Sequence, residues 1–196
     1  MIYCEGENTE PGYFHALRRH LSSALIELEI VPTGAPMTIA ERAVYRAQSE
    51  GLAKPSRKRP ANSYETRDQV WAVFDRDEHE SSAKAVALCA QHGVRVGRSN
   101  PCFEIWLILH FEEFHRPDDR HQVCRHLRSL HPAYDPVGAK TCDWGRLLPA
   151  IEAAERRADN QLARREQEGS PFGAPSTTVG ALTKAIREAA KASKAK

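Results

Sequence analysis

The sequence contains no CxxC pair, and its five cysteines, Cys4, Cys89, Cys102, Cys124 and Cys142, are odd in number. That leaves no basis for a disulfide framework or a zinc ribbon, so the thiols read as reduced. No window approaches the roughly 20 apolar residues that a membrane helix needs, and the short, acidic N-terminal stretch does not read as a signal peptide. A cytoplasmic location with no membrane partner is the expectation. An excess of one charge is also lacking, since Lys+Arg 28 against Asp+Glu 26 leaves a net +2. Such a chain has no overall field for a polyanion, and any nucleic-acid role must rest on local patches. What is present suits a folded domain: 196 residues, 41% hydrophobic, with three Trp and six Phe. That length fits one domain, or one domain with a modest appendage.

The first half alternates strand and helix signals. Met1 to Cys4 reads as a short strand ending at the charged run Glu5 to Glu10. Pro11 suits a first helical turn, with Tyr13, Phe14, Leu17 and Leu21 at helical spacing. Leu25 to Val31 alternates as a half-buried strand, and Thr38-Ile39-Ala40-Glu41 reads as a capping box opening a second helix. Val70 to Phe74 is a continuous apolar run suited to a strand covered on both faces, and it ends at Asp75. A third helix presents Ala83, Val86, Ala87 and Ala90 and stops at Gly93, before a short strand at Val94 to Val96. This order predicts an α/β fold, a mainly parallel sheet flanked by helices, with ligands bound outside the carboxyl ends of the strands. The second half offers helical segments near 103–111, 118–130, 144–166 and 177–195 and no convincing strand. The expected organisation is an α/β core over 1–112 and a helical extension over 113–196 packed on it, together one structural unit.

Acids cluster where such a sheet places its site. Glu5 directly follows the first strand and Asp75 ends the third; Asp77, two residues on, points the same way if the chain stays extended. Glu10, at the start of the first helix, adds a further carboxylate. Carboxylates gathered this closely raise each other's pKa unless a cation compensates them, and hard oxygen donors suit Mg²⁺ or Mn²⁺. Phosphodiester hydrolysis is the matching chemistry. The bland alternative makes Glu5, Glu7 and Glu10 a helix-capping turn and Asp75-Arg76-Asp77 a solvated loop; acid clusters at two strand ends favour a site.

Three blocks carry a resemblance. Glu5-Gly6 after a hydrophobic strand, followed by Asp75-x-Asp77 after a later one, looks like the Toprim arrangement of topoisomerases, primases and OLD-type nucleases. More closely, Cys4 to Pro11, Phe74 to His79 and Ser99 to Leu107 together resemble the RloB family, with a fainter match at Pro175 to Val179. The resemblance implies a Toprim-like fold, dependence on Mg²⁺ or Mn²⁺, and a role in defence against phage or foreign nucleic acid. By position it implies acid-base or metal contact for Glu5, metal binding for Asp75 and Asp77, and a further catalytic acid at Glu10. The chain departs from the pattern in its short lead before Glu5 and in Ala174, where Asn is expected. The function expected is a metal-dependent nuclease acting on DNA or RNA. The alternatives are a non-cleaving subunit of a defence system that binds nucleic acid, a nucleotide or a partner protein, and, more weakly, nucleotidyl transfer. A homo-oligomer is compatible with the sequence.

Other residues are weighed against structural roles. Asn100 suits an N-cap and Pro101 the first position of a helix that is apolar nearly all round, which should be buried. Glu104, ionisable in its first turn, must pair or face a cleft. His110 closes that helix, where a core role competes with a site role. Glu7, His79, Asn100, Glu104 and His110 are therefore candidates for supporting or substrate-contacting roles. His115, His121, His126 and His131 near Cys124 match no zinc template. Arg57, Lys58 and Arg59 in a proline-bounded basic loop, with Lys140 and Lys184, are candidate phosphate contacts with no motif geometry behind them, and a second basic cluster sits at the C-terminal lysines.

Overall fold

The computed structural model describes residues 1–6, 8–22, 28–30 (as backbone), 34–52, 68–76, 81–135 and 142–194. The chain runs through β1 (Ile2–Cys4), α1 (Thr9–His20), β2 (Leu28–Ile30), α2 (Pro36–Ser49), β3 (Trp71–Asp75), α3 (Ser81–Gln91) and β4 (Arg95–Asn100). It continues through α4 (Glu104–Ile108), α5 (Arg120–Leu130), α6 (Trp144–Leu147), a 3-10 turn (Leu148–Ala150), α7 (Ile151–Gln167), β5 (Ser176–Thr177) and α8 (Val179–Lys194). The strands form one sheet in the order β2-β1-β3-β4-β5. Pairing is parallel except between β4 and β5. The expected α/β class, with a mainly parallel sheet, flanking helices and a helical C-terminal region, is borne out.

Strand alternation divides the core into two layers. Ile2, Cys4, Trp71 and Val73 face a cluster built with α1 and the helices after β4, including Phe14, Leu17, Trp106, Leu107, Leu127 and Leu182. Tyr3, Ala72 and Phe74 face the other layer, with Ile39, Ala43, Ala85 and Cys89 from α2 and α3. The register Tyr3↔Ala72 and Cys4↔Val73 locks the two alternations together. All five residues of β3 are buried, as a strand covered on both faces requires. Each fully buried large side chain contributes about 1.5–3 kcal/mol.

Several local expectations need correction. Helix α2 starts at Pro36 with Ala35 at the N-cap, so Thr38 lies inside it; proline's fixed φ at the first position sets the start ahead of the threonine. Helix α3 buries Ser82, Ala85 and Cys89; of the expected face only Val86 packs against the core, while Ala83, Ala87 and Ala90 are exposed. Small residues carry little burial signal, and here the stripe falls one position away. Gly93 does end the segment, at φ 71°. Strand β4 runs on to Asn100 because β5 pairs it, Ser99 with Thr177 and Asn100 with Ser176. Asn100 is therefore a strand residue and not an N-cap, and α4 begins only at Glu104. The second half also supplies a strand, β5, which the sequence hides because two residues show no alternation. None of the helices among the described residues is long and apolar enough to cross a membrane.

Candidate functional site

Between β1 and β3 the strand order reverses: the chain leaves β1 towards β2 on one side, and β3 lies on the other. In open α/β sheets this is where a crevice opens beyond the carboxyl ends. Glu5 stands just past β1, its backbone N–H donating to Val73 O at 3.3 Å. Asp75 is the last residue of β3 and shares the face of Val73, towards α1 and α4. Helix α1 brings Glu10 in its first turn. The Glu10 carboxylate lies so close to Gly6 that a Cβ at that position would displace it. These residues and Glu104, Arg120 and Cys124 line a cavity of about 120 Å³.

The electrostatics are those of crowded anions. Glu10 and Asp75 are each 8% exposed and Glu104 is 4% exposed. Burial, then the charges of Glu10 and Glu104, push the Asp75 carboxyl well above its ordinary pKa; Arg120 counters this and Glu5 adds to it. Arg120, the first residue of α5, donates from Nη2 to Asp75 Oδ2 at 3.0 Å. Glu104 accepts a 2.8 Å hydrogen bond from the Tyr134 hydroxyl. Behind it, Cys102, Glu104 and Cys124 bring their donor atoms within 4.8 Å of one another. Contact with Cys124 and burial raise the Cys102 thiol behind an oxygen-lined front.

Of the expected site residues, Glu5, Glu10, Asp75 and Glu104 are brought together. Glu7, Asp77, His79, Arg57, Lys58, Arg59 and Lys140 lie outside the described residues. Asn100 does not line the cavity; its side chain donates to Phe172 O at 3.0 Å. Lys184 is exposed on α8 and takes no part in the lining. The histidines near Cys124 go to separate partners: His126 to Glu112 at 2.7 Å, and His131 to the Asp143 backbone N–H at 3.0 Å.

His110 belongs to the core. Its Nδ1 sits 3.0 Å from Trp106 O and its Nε2 3.3 Å from the Tyr13 hydroxyl. A carbonyl only accepts, so Nδ1 carries the proton and neutral Nε2 accepts from Tyr13. Burial pushes its pKa down from 6.5 to about 4. The unfolded chain therefore binds the proton more readily between these values. The neutral ring's contribution is complete above pH 6.5 and is lost as pH falls through 4, at most about 3 kcal/mol. Urea denaturation between pH 7.5 and 4 is expected to show this loss in the wild type and a flatter profile in His110→Asn; identical profiles would refute it.

Sequence reasoning missed Gly6, Arg120 and Cys124 as lining residues, and Tyr134 as the partner of Glu104. Arg120 had one readable signal, its place after Asp119, whose side chain accepts from Gln122 N in a capping box that starts α5. A larger, more open concavity of about 460 Å³ lies along α2 between Tyr3, Glu41, Arg42, Tyr45 and Arg46. It gathers a single carboxylate, so the chemistry favours the smaller cavity. No curated protein and no solved structure matches the chain. A family model described as RloB-like protein matches residues 1–186, and with nearly its whole length covered the chain belongs to the RloB-like family.

Proposed function

We propose that the protein is a metal-dependent phosphodiesterase acting on DNA or RNA, built on a Toprim-like core and serving defence against phage or foreign nucleic acid. The observation that carries this reading is the convergence of Glu5, Glu10, Asp75 and Glu104, from separate elements, on one cavity at the β1/β3 switch point. Oxygen donors in this number, with Arg120 as the cation in the lining, fit a hard divalent ion such as Mg²⁺ or Mn²⁺. The raised Asp75 carboxyl supports that fit, because added positive charge relieves the repulsion behind it.

Glu5 and Asp75 would hold the ion, with Asp77 joining them by its place in the sequence. When bound, such an ion polarises the phosphorus centre and lowers the pKa of a coordinated water. Glu10, held against Gly6, is placed to take or return a proton as a carboxylate off the metal. Tyr134 fixes Glu104 at the cavity wall, which keeps that carboxylate from wandering into the substrate's place. Arg120 neutralises part of the charge at rest and offers its donors to a phosphate oxygen.

The test is incubation of labelled single-stranded and duplex DNA and RNA with purified protein in Mn²⁺, Mg²⁺ or EDTA. Cleavage confined to the metal-containing reactions is expected. Binding without cleavage under either metal would transfer the reading to a non-cleaving subunit.

A further inference from the structure

On the loop before β5, Phe172 holds a conformation that a bulky L-residue rarely takes, with φ at 67°. The residue is 41% exposed. The Arg98 guanidinium stacks on the Phe172 ring, 3.6 Å from the centroid. The Phe172 carbonyl accepts from Asn100 Nδ2 at 3.0 Å and from Arg76 Nη1 at 3.3 Å. Three side chains from the ends of β3 and β4 thus hold one strained aromatic at the surface. Strain of this kind persists only where surrounding contacts enforce it, and it concentrates at binding sites.

The charges around the ring point the same way. Arg76 follows Asp75 directly and is exposed. Its backbone N–H donates to Ser99 O at 2.7 Å, which fixes it beside β4. Burial and the nearby Arg76 charge both push the Arg98 guanidinium down, so two cations sit side by side. Among the described residues neither pairs with a carboxylate. Adjacent cations next to an exposed aromatic complement a chain of phosphates carrying flat bases. A duplex keeps its base faces stacked inside, so a single strand fits and a double helix does not.

We infer that Phe172, Arg76 and Arg98 form a docking patch for single-stranded polynucleotide, the ring stacking on a base and the guanidinium pair taking adjoining phosphates. This rests on the phosphodiesterase reading and adds how the strand is held, with Arg76 one residue past Asp75. Asn100 acts here as a positioning residue that fixes the Phe172 backbone.

The experiment is fluorescence anisotropy of labelled oligothymidylate and oligouridylate in EDTA with wild type, Phe172→Gly, Phe172→Ala and Phe172→Trp. Base stacking on an aromatic is worth about 1–3 kcal/mol, so loss of the ring is expected to weaken binding by about 5- to 150-fold, and tryptophan to retain it. Glycine suits the positive φ, so Phe172→Gly is expected to melt no lower than wild type, separating a lost contact from a damaged loop. Arg98→Gln is expected to lower the salt dependence of binding by about one phosphate. The oligomer that loses more affinity identifies the strand. If the wild type cleaves with Mn²⁺ while Phe172→Gly binds as tightly as wild type, the patch is overturned and the phosphodiesterase reading stands. A wild type that neither binds nor cleaves either strand overturns both.

Discussion

Asp75→Asn is expected to abolish Mn²⁺-dependent cleavage and, at the same time, to raise the melting temperature of the metal-free protein. Outer-shell substitutions typically cost 10–100-fold, so loss of a direct ligand is expected to exceed them, by about a thousandfold in rate. The gain in stability has a separate origin. In the native protein the Asp75 carboxyl is buried beside Glu10, Glu104 and Glu5, with Arg120 as the charge opposing their repulsion. An amide of the same shape removes one anion from that group. About 1 kcal/mol of relief corresponds to a rise of roughly 2–4 °C in a protein of this size. Added Mn²⁺ stabilises whatever state binds it, so it is expected to raise the melting temperature of the wild type and to leave Asp75→Asn nearly unmoved. Differential scanning calorimetry with and without the ion reads both effects. Loss of cleavage together with a lower melting temperature would instead make Asp75 a structural residue. Gain and loss in opposite directions at one position are the mark of a site whose repulsion is kept for function.

The second large effect lies away from the cavity. Arg187→Ala is expected to cost about 3–5 kcal/mol of stability, a fall of about 10 °C in melting temperature. Glu155 on α7 is 5% exposed. It accepts from Arg187 Nε at 3.0 Å, Arg187 Nη2 at 2.8 Å and the Thr183 hydroxyl at 3.1 Å. Arg187, on α8, also reaches Glu152. Removing the guanidinium leaves a buried carboxylate with one hydroxyl for company, and the desolvation cost falls on the fold. The double substitution Glu155→Leu with Arg187→Leu is expected to recover most of the loss, because replacing both members of a buried pair is far cheaper than orphaning one. Urea denaturation of the two singles and the double completes the cycle. A loss below about 1 kcal/mol in Arg187→Ala would show that water reaches Glu155 and that α7 and α8 are held by apolar contacts alone.

The parallel sheet and its acid-bearing ends were legible because parallel strands are buried on both faces and read as short apolar runs. Val70 to Phe74, ending at Asp75, is such a run, and Glu5 stands out by following one. Glu104 was legible as an ionisable group in an otherwise apolar helix. Arg120 and Cys124 were not, since their place at the cavity depends on how α5 packs, and nothing local in a polar, histidine-rich segment records that. Asn100 misled for a related reason. Its sequence neighbours spell a helix start, but β5, which joins the sheet 76 residues later in the register Asn100↔Ser176, holds it extended. At His110 a core role competed with a site role in the sequence, and the hydrogen bonds to Trp106 O and Tyr13 decide for the core.

Strand β1 is three residues long, yet it lies between β2 and β3 and is hydrogen-bonded along both edges. A strand so placed cannot fray from one side, and its amides exchange with solvent only when the centre of the sheet opens as a whole. The two-residue β5 forms the sheet's margin and can detach at smaller free energy. The scaffold thus assigns different opening energies to its parts: Asp75 ends the central strand β3 and Glu5 follows β1, while the loop that carries Phe172 leads into the margin, where the chain can yield to an arriving strand without loosening those acids.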